Sequence, residues 1–293
     1  WQRVGGYTAS TDNRLNVRDA STGLWWTRND AGLLACYTLA ADGTRTYKTE
    51  GVLPEGPASN HFYRLYMHGG KLYSVGGAFA EEIDGNFPGE VKIWDGMTWS
   101  LFEQPTRQQL GHNNVDYLCL DFDPQNEGHV MVGAKSGLYE FQNGRFVESA
   151  ALDNNLNYVM ASAVKYDMDG NLWVLNNQTD DPIKQLSNDN KWNVFSHKEL
   201  AYDDAWDLKR VFISSTNGLM WFVNNHWEST RVYAYDYKND KLYFVGGPVY
   251  INEDGTNITP IYLFDIQEDI NRNVWIATSS GPLYFTQADI MNC

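Results

Sequence analysis

A hairpin with fixed internal spacing recurs along this chain and constrains its fold more than any other feature. In Val91-Lys92-Ile93-Trp94 then Trp99, Leu138-Tyr139-Glu140-Phe141 then Phe146, and Leu219-Met220-Trp221-Phe222 then Trp227, the apolar anchors fall three and then five residues apart. Ile183, Leu186 and Trp192 repeat the pattern with one extra residue in the turn. A glycine aligns the strand before each hairpin: residues 273–281 match residues 129–137 position for position, and 210–218 fall on the same frame. Lys71-Leu72-Tyr73-Ser74-Val75-Gly76-Gly77 and Lys241-Leu242-Tyr243-Phe244-Val245-Gly246-Gly247 are nearly identical. Together with Trp26 and Trp173, this frame has seven anchors: Trp26, Tyr73, Met131, Trp173, Phe212, Tyr243 and Trp275. Their successive separations are 47, 58, 42, 39, 31 and 32 residues.

Each unit reads as four short antiparallel strands. Tyr117-Leu118-Cys119-Leu120-Asp121-Phe122 exemplifies the first, rich in aromatic and branched residues and followed by turn formers. Tight turns such as Asp169-Gly170-Asn171 lead to the second, since Asp-Gly and Asn-Gly tolerate the positive φ of two-residue hairpins. No stretch sustains an apolar period of 3.6 residues over a helical length. Four-stranded repeats of roughly 40 residues are the mark of a β-propeller blade. The sequence therefore predicts an all-β, seven-bladed β-propeller of four-stranded antiparallel blades, a single domain over 1–293. The last unit stops after Leu283-Tyr284-Phe285, and Trp1-Gln2-Arg3-Val4 resembles the fourth strands Trp99-Ser100-Leu101-Phe102 and Trp192-Asn193-Val194-Phe195. The N-terminal strand is thus predicted to complete the last blade, closing the ring and covering an exposed sheet edge.

Composition narrows the partners. The formal net charge is −15, whereas a nucleic-acid partner would call for a basic face. No apolar run approaches the ~18 residues that suggest a membrane-spanning helix. The chain begins at Trp1 without a signal peptide, as expected of a processed or excised segment of a longer protein. Cys36, Cys119 and Cys293 give an odd count with no CxxC, and the first two, inside apparent strands, read as buried free thiols.

The local motifs read as scaffold. Asp167-Met168-Asp169-Gly170-Asn171 opens like a calcium loop, but the twelfth position, where an EF-hand carries glutamate, is Gln178. Turns at the matching place in other units favour a structural role. Trp94-Asp95-Gly96-Met97-Thr98-Trp99 likewise reads as a hairpin turn. Six histidines occur without an HxH or HxxxH pair, and GxSxG, HExxH and a glycine-rich phosphate loop are absent. Neither a metal, a cofactor nor a catalytic set is predicted.

Loop lengths are more informative. In a four-stranded meander, the second-to-third and fourth-to-first connections emerge at the same end. Those connections are the long ones: Ala78 to Pro88, Asn176 to Pro182, Pro105 to Asn114 and Ala150 to Asn157. Long loops on a rigid scaffold are where binding concentrates. The candidate binding residues there are Phe79, Phe87, Arg107, Asn154, Asn155 and Gln178. Aromatics beside amides suit a sugar through stacking and hydrogen bonds.

Asp169-Gly170-Asn171-Leu172-Trp173-Val174 and Asn273-Val274-Trp275-Ile276-Ala277-Thr278-Ser279-Ser280-Gly281-Pro282-Leu283 resemble the two-component regulator propeller repeat. Leu53-Pro54-Glu55-Gly56-Pro57-Ala58-Ser59-Asn60 and Gly70-Lys71-Leu72-Tyr73-Ser74-Val75-Gly76-Gly77 are similar to PorZ-type propellers of the type IX secretion system. So are residues 122–130, Gly137-Leu138-Tyr139-Glu140-Phe141 and the ending Gly281-Pro282-Leu283-Tyr284. The resemblance implies a non-enzymatic binding or scaffold domain at a bacterial cell surface or in the periplasm, with glycan, lipopolysaccharide or protein partners. The first resemblance leaves open a ligand-sensing region of a hybrid two-component regulator. A propeller lyase or glycosidase is the third reading. Only one ring's worth of blades is present, and no binding residue of the family maps onto a position here.

Overall fold

The computed structural model describes residues 2–3, 16–28, 33–52, 56–77, 86–150, 160–177, 179–200, 207–226, 230–245, 249–251 and 254–291. They form seven antiparallel sheets, and the fold class is the one the repeat predicts, an all-β seven-bladed β-propeller. The chain divides into two compact units, Trp1–Pro57 and Ala58–Cys293.

The first unit carries one five-stranded sheet in chain order: β1 (Gln2–Arg3), β2 (Val17–Arg18), β3 (Trp25–Arg28), β4 (Leu34–Leu39) and β5 (Arg45–Val52). Ala35, Cys36 and Tyr37 are its buried residues. Trp25 stacks on Tyr37 with ring centroids 6.4 Å apart, and the Arg45 guanidinium sits 4.8 Å from the Tyr37 ring. The N-terminal strand departs from expectation. Gln2 and Arg3 pair with Arg18 and Val17 in this sheet and not with the last blade. Pairing across a short loop costs far less entropy than pairing across the whole chain.

The second unit begins with four four-stranded sheets. The first holds β6 (Arg64–His68), β7 (Lys71–Val75), β8 (Val91–Trp94) and β9 (Trp99–Leu101). A short helix, α1 (Arg107–Leu110), leads to β10 (Tyr117–Phe122), β11 (His129–Ala134), β12 (Gly137–Gln142) and β13 (Arg145–Ala150). Next come β14 (Met160–Tyr166), β15 (Leu172–Asn177), β16 (Ile183–Leu186) and β17 (Trp192–Phe195). The fourth is β18 (Leu208–Ile213), β19 (Met220–Asn225), β20 (Thr230–Asp236) and β21 (Lys241–Val245). A two-stranded sheet of β22 (Tyr250–Ile251) and β23 (Asn257–Ile258) follows. Then come the three-stranded β24 (Leu263–Glu268), β25 (Val274–Thr278) and β26 (Gly281–Phe285), and helix α2 (Gln287–Met291).

The seven sheets equal the predicted repeats in number but do not coincide with them one for one, and strands are not distributed four to each. Phe212 and Tyr243, read as equivalent anchors of two units, lie on the first and fourth strands of one sheet. The residue at the second-strand position there is Trp221. The sequence contains the signal for this frame: Trp173-Val174-Leu175-Asn176-Asn177 and Trp221-Phe222-Val223-Asn224-Asn225 are parallel pentapeptides, each ending its second strand.

One carboxylate explains the Asp–Asn–Trp signature. Asp167 accepts hydrogen bonds from the backbone N–H groups of Asp169 and Asn171, from Asn171 Nδ2 and from the indole Nε1 of Trp173 at 3.0 Å. Asp269 does the same for Asn273 and Trp275. The turn reading of 167–171 holds, with the Asp167 oxygens occupied by turn donors. In the β18–β19 turn, Ser214 stands where the aspartate would be. Trp221 is fully buried there and its Nε1 has no partner.

The core lies between neighbouring sheets. Val75, Val91, Tyr117, Val132 and Phe141 fill the space between the first two sheets of this unit. Met131, Leu138, Val164 and Leu172 fill the next, and Trp173, Ile183, Phe222 and Tyr235 the one after. Trp221, Val232, Ile266, Ile276 and Leu283 pack the β18–β21 sheet on the last one. Aromatic rings dominate because each buries a large area per residue ordered.

Candidate functional site

Phe87 and Arg107 are the two candidate binding residues among the described ones; Phe79, Asn154, Asn155 and Gln178 lie outside them. Phe87 is half-buried in the β7–β8 connection, its ring 4.1 Å from that of His61. Its N–H donates to Asp116 Oδ1 at 3.1 Å, and its carbonyl accepts from the Asp116 N–H at 2.9 Å. Phe87 is therefore pinned to the residue that opens the next sheet. Arg107 is exposed on α1, which Thr106 and Gln109 close with reciprocal capping bonds. No hydrogen bond, ring contact or ion pair joins Phe87 to Arg107 among the described residues. Beneath Phe87, the buried Lys92 donates to the His61 carbonyl at 2.7 Å and pairs with Glu90 at 3.2 Å. Gly77 bonds to the Tyr117 carbonyl across the sheet boundary, and a Cβ there would meet that oxygen at 2.4 Å.

A second cluster at the same loop-bearing end carries more charge and was not foreseen. Tyr63 and Arg64 open β6, and Asp207, Lys209 and Arg210 open β18. These first strands are far apart in sequence but converge in space. The Arg64 guanidinium lies 5.4 Å from the Tyr63 ring and that of Arg210 6.0 Å from the same ring. Lys209 pairs with Asp207 at 2.7 Å and lies 5.3 Å from the ring of Tyr262, just before β24. Arg210 Nε donates to the Phe264 carbonyl at 2.9 Å, with Asp265 at 3.8 Å.

Local backbone geometry aims these groups. The β18–β19 ladder pairs Lys209 with Val223 and Phe212 with Trp221, so Arg210 and Val211 oppose the single residue Phe222. This is a β-bulge, a device that re-aims side chains. Arg210 has φ +58°, the one positive-φ residue other than glycine inside a strand among the described residues. Such a conformation costs on the order of 1–3 kcal/mol and marks functional places more often than random ones. Asparagines ending the second strands hold the first strands in position. Asn177 Oδ1 accepts from the Leu208 N–H at 2.9 Å, and Asn225 Oδ1 from the Leu263 N–H at 2.7 Å.

Burial and like charge shape the titration of the cluster. Burial lowers the pKa of Lys209, against the pull of Asp207, with Arg64 and Arg210 adding to the lowering. Burial also lowers Arg210, and Arg64 reinforces it. Tyr66, behind Arg64, is pushed up to about 12 by burial, and the Cys119 thiol to about 11. Arg64 is buried and its Nε has no partner. Among the described residues, no group of three histidine, cysteine, aspartate or glutamate side chains converges as a metal site. No helix among them is long and apolar enough to cross a membrane. The signal that sequence reading passed over was the placing of basic residues, Arg64 and the pair Lys209-Arg210, at strand starts in an acidic chain.

No family model matches this chain, and no curated protein does. Solved structures do. The chain is similar to PorZ, a surface component of the type-IX secretion system of Porphyromonas gingivalis, with TM-score 0.72 and 20% identity over 96% of this chain and 42% of that one. It also matches the extracellular domain of the hybrid two-component system BT3049 of B. thetaiotaomicron, with TM-score 0.51 and 12% identity, covering 93% and 39%. Virginiamycin B lyase of Staphylococcus aureus matches with TM-score 0.52 and 13% identity, covering 92% and 83%. The chain thus spans less than half the length of the first two. These neighbours agree with the resemblance read from the motifs, and at such identities the likeness is one of fold. They include a surface component, an extracellular domain and an enzyme.

Proposed function

We propose that 1–293 is a single non-enzymatic propeller domain of a longer bacterial surface or periplasmic protein, holding a glycan or protein partner at its loop-bearing end. The observation that carries this reading is the clustering of Arg64, Lys209 and Arg210 at that end of an otherwise strongly acidic chain. Cations buried side by side lose hydration and repel one another, a cost that an incoming anion offsets. Phe87, Arg107 and the further candidates Phe79, Asn154, Asn155 and Gln178 belong to loops at the same end and would widen the contact. The likeness to PorZ and to extracellular sensor domains supports a place outside the cytoplasm, and that to the lyase keeps the enzymatic alternative under test.

The experiment is retention on immobilised glycans and on purified surface proteins, with the whole chain and with Phe87→Ala and Arg107→Ala. Retention of one ligand class, reduced by either variant, supports the reading. Uniform non-retention on glycans removes the carbohydrate version, and turnover of a retained ligand removes the non-enzymatic one. A kinase or membrane segment following Cys293 in the longer protein would favour the sensing role.

A further inference from the structure

We propose that Arg64, Lys209 and Arg210 form a binding site for a carboxylate group carried by the partner. The inference rests on the loop-bearing end being the binding end, and adds the chemistry of what enters it.

Arg64 is the centre of the argument. It is more than nine-tenths buried, its Nε lacks a partner, and the groups acting on it are Tyr66, Cys119 and Tyr63. All three are neutral at pH 7, and burial moves each further from ionising: Tyr66 to about 12, the Cys119 thiol to about 11, and Tyr63 above its ordinary value. A guanidinium buried among neutral groups retains an uncompensated charge, an unfavourable state that an incoming anion relieves.

The other members supply geometry and access. Arg210 is turned towards Tyr63 by a bulge at a strained φ of +58°, and its side chain is 22% exposed. Tyr262, beside Lys209, is half-exposed, so solvent reaches one wall of the cluster. Three cations stand against two carboxylates, Asp207 on Lys209 and Asp265 on Arg210, leaving a formal charge of +1. A single carboxylate neutralises that charge, whereas a phosphate dianion would overshoot it. The planar guanidinium fork matches the two oxygens of a carboxylate. Such a group could come from an acidic sugar or from an acidic side chain; the chemistry recognised is the same.

The test is the arginine Nε–Hε NMR signal of Arg64 in the whole chain, titrated with sodium acetate and sodium glucuronate. Sodium phosphate at pH 8 and sodium chloride serve as comparisons at equal ionic strength. The expected result is a saturable shift with both carboxylates, weakened by about tenfold or more in Arg210→Gln, as for loss of a charged hydrogen bond. Tighter binding of glucuronate than acetate points to an acidic sugar as the source, and equal binding to any carboxylate. No saturable shift, or the same shift with chloride, overturns the site; tighter binding of phosphate overturns the charge argument. Arg64→Lys is the second variant, and if it alters the near-ultraviolet circular dichroism, Arg210→Gln carries the result. A carboxylate that binds while no partner is retained sinks the partner reading and leaves this one. A partner whose retention survives Arg210→Gln does the reverse.

Discussion

Asp167 shows how much one side chain carries in this fold. Its two oxygens take the turn donors of Asp169 and Asn171 and the indole of the fully buried Trp173. Asp167→Ala leaves that indole unpaired in the core, and we expect a loss of about 2–4 kcal/mol in urea unfolding, from several bonds of modest net worth plus one orphaned donor. Asp269→Ala removes the same set around the half-exposed Trp275, where water replaces the lost acceptor, and its midpoint should move less. Cys119 makes a prediction of a different kind. Its thiol is raised from 9.0 to about 11 by burial. A raised folded pKa means that the folded chain holds a proton which the unfolded chain releases. The contribution is therefore complete below pH 9 and lost as pH rises through about 11, amounting to roughly 2–3 kcal/mol. Tyr66, raised to about 12, extends the loss upward. Urea midpoints between pH 8 and 11 should fall in the parent chain and fall less in Cys119→Ala.

At the scale of elements, most strands were legible. The first strand of the β10–β13 sheet, the turn at Asp169-Gly170-Asn171 and the fourth strands beginning at Trp99 and Trp192 lie where patterning places them. The β18–β21 sheet was misread because second and third strands are both apolar on both faces, so Leu219-Met220-Trp221-Phe222 satisfies either role. What resolves it is a polar mark, the asparagine that ends a second strand and bonds to the next sheet's first strand. Apolar alternation cannot distinguish two buried strands; a residue with one obligatory partner can. The two tryptophans on equivalent second strands offer a test. Trp173→Phe and Trp221→Phe remove similar buried area, but only the first breaks a hydrogen bond. We expect Trp173→Phe to be the more destabilising by about 1 kcal/mol in chemical denaturation.

For the whole molecule, the four buried clusters all draw on residues after Ala58. A chain beginning at Ala58 should therefore keep near-ultraviolet circular dichroism and a cooperative unfolding transition, and a featureless spectrum would show that the first sheet is needed for the rest to pack. Net charge also belongs to this scale. At −15 the chain repels anions at a distance. A carboxylate ligand should then approach more readily as salt screens that repulsion, until salt competes at the cluster itself.

The sequence by itself determined the class of fold, because blade packing depends on a local, repeated alternation of apolar residues that survives in the string. It also marked the end of the sheets where long loops gather, since connection lengths are a property of order along the chain. It left the convergence of the cationic residues invisible. Arg64 and Arg210 are separated by more than two complete sheets, and neither belongs to a motif. Their meeting at the ring of Tyr63 depends on the convergence of first strands and on a bulge that turns one residue out of its ladder. Charge acts through distance in space, and only the folded chain sets that distance.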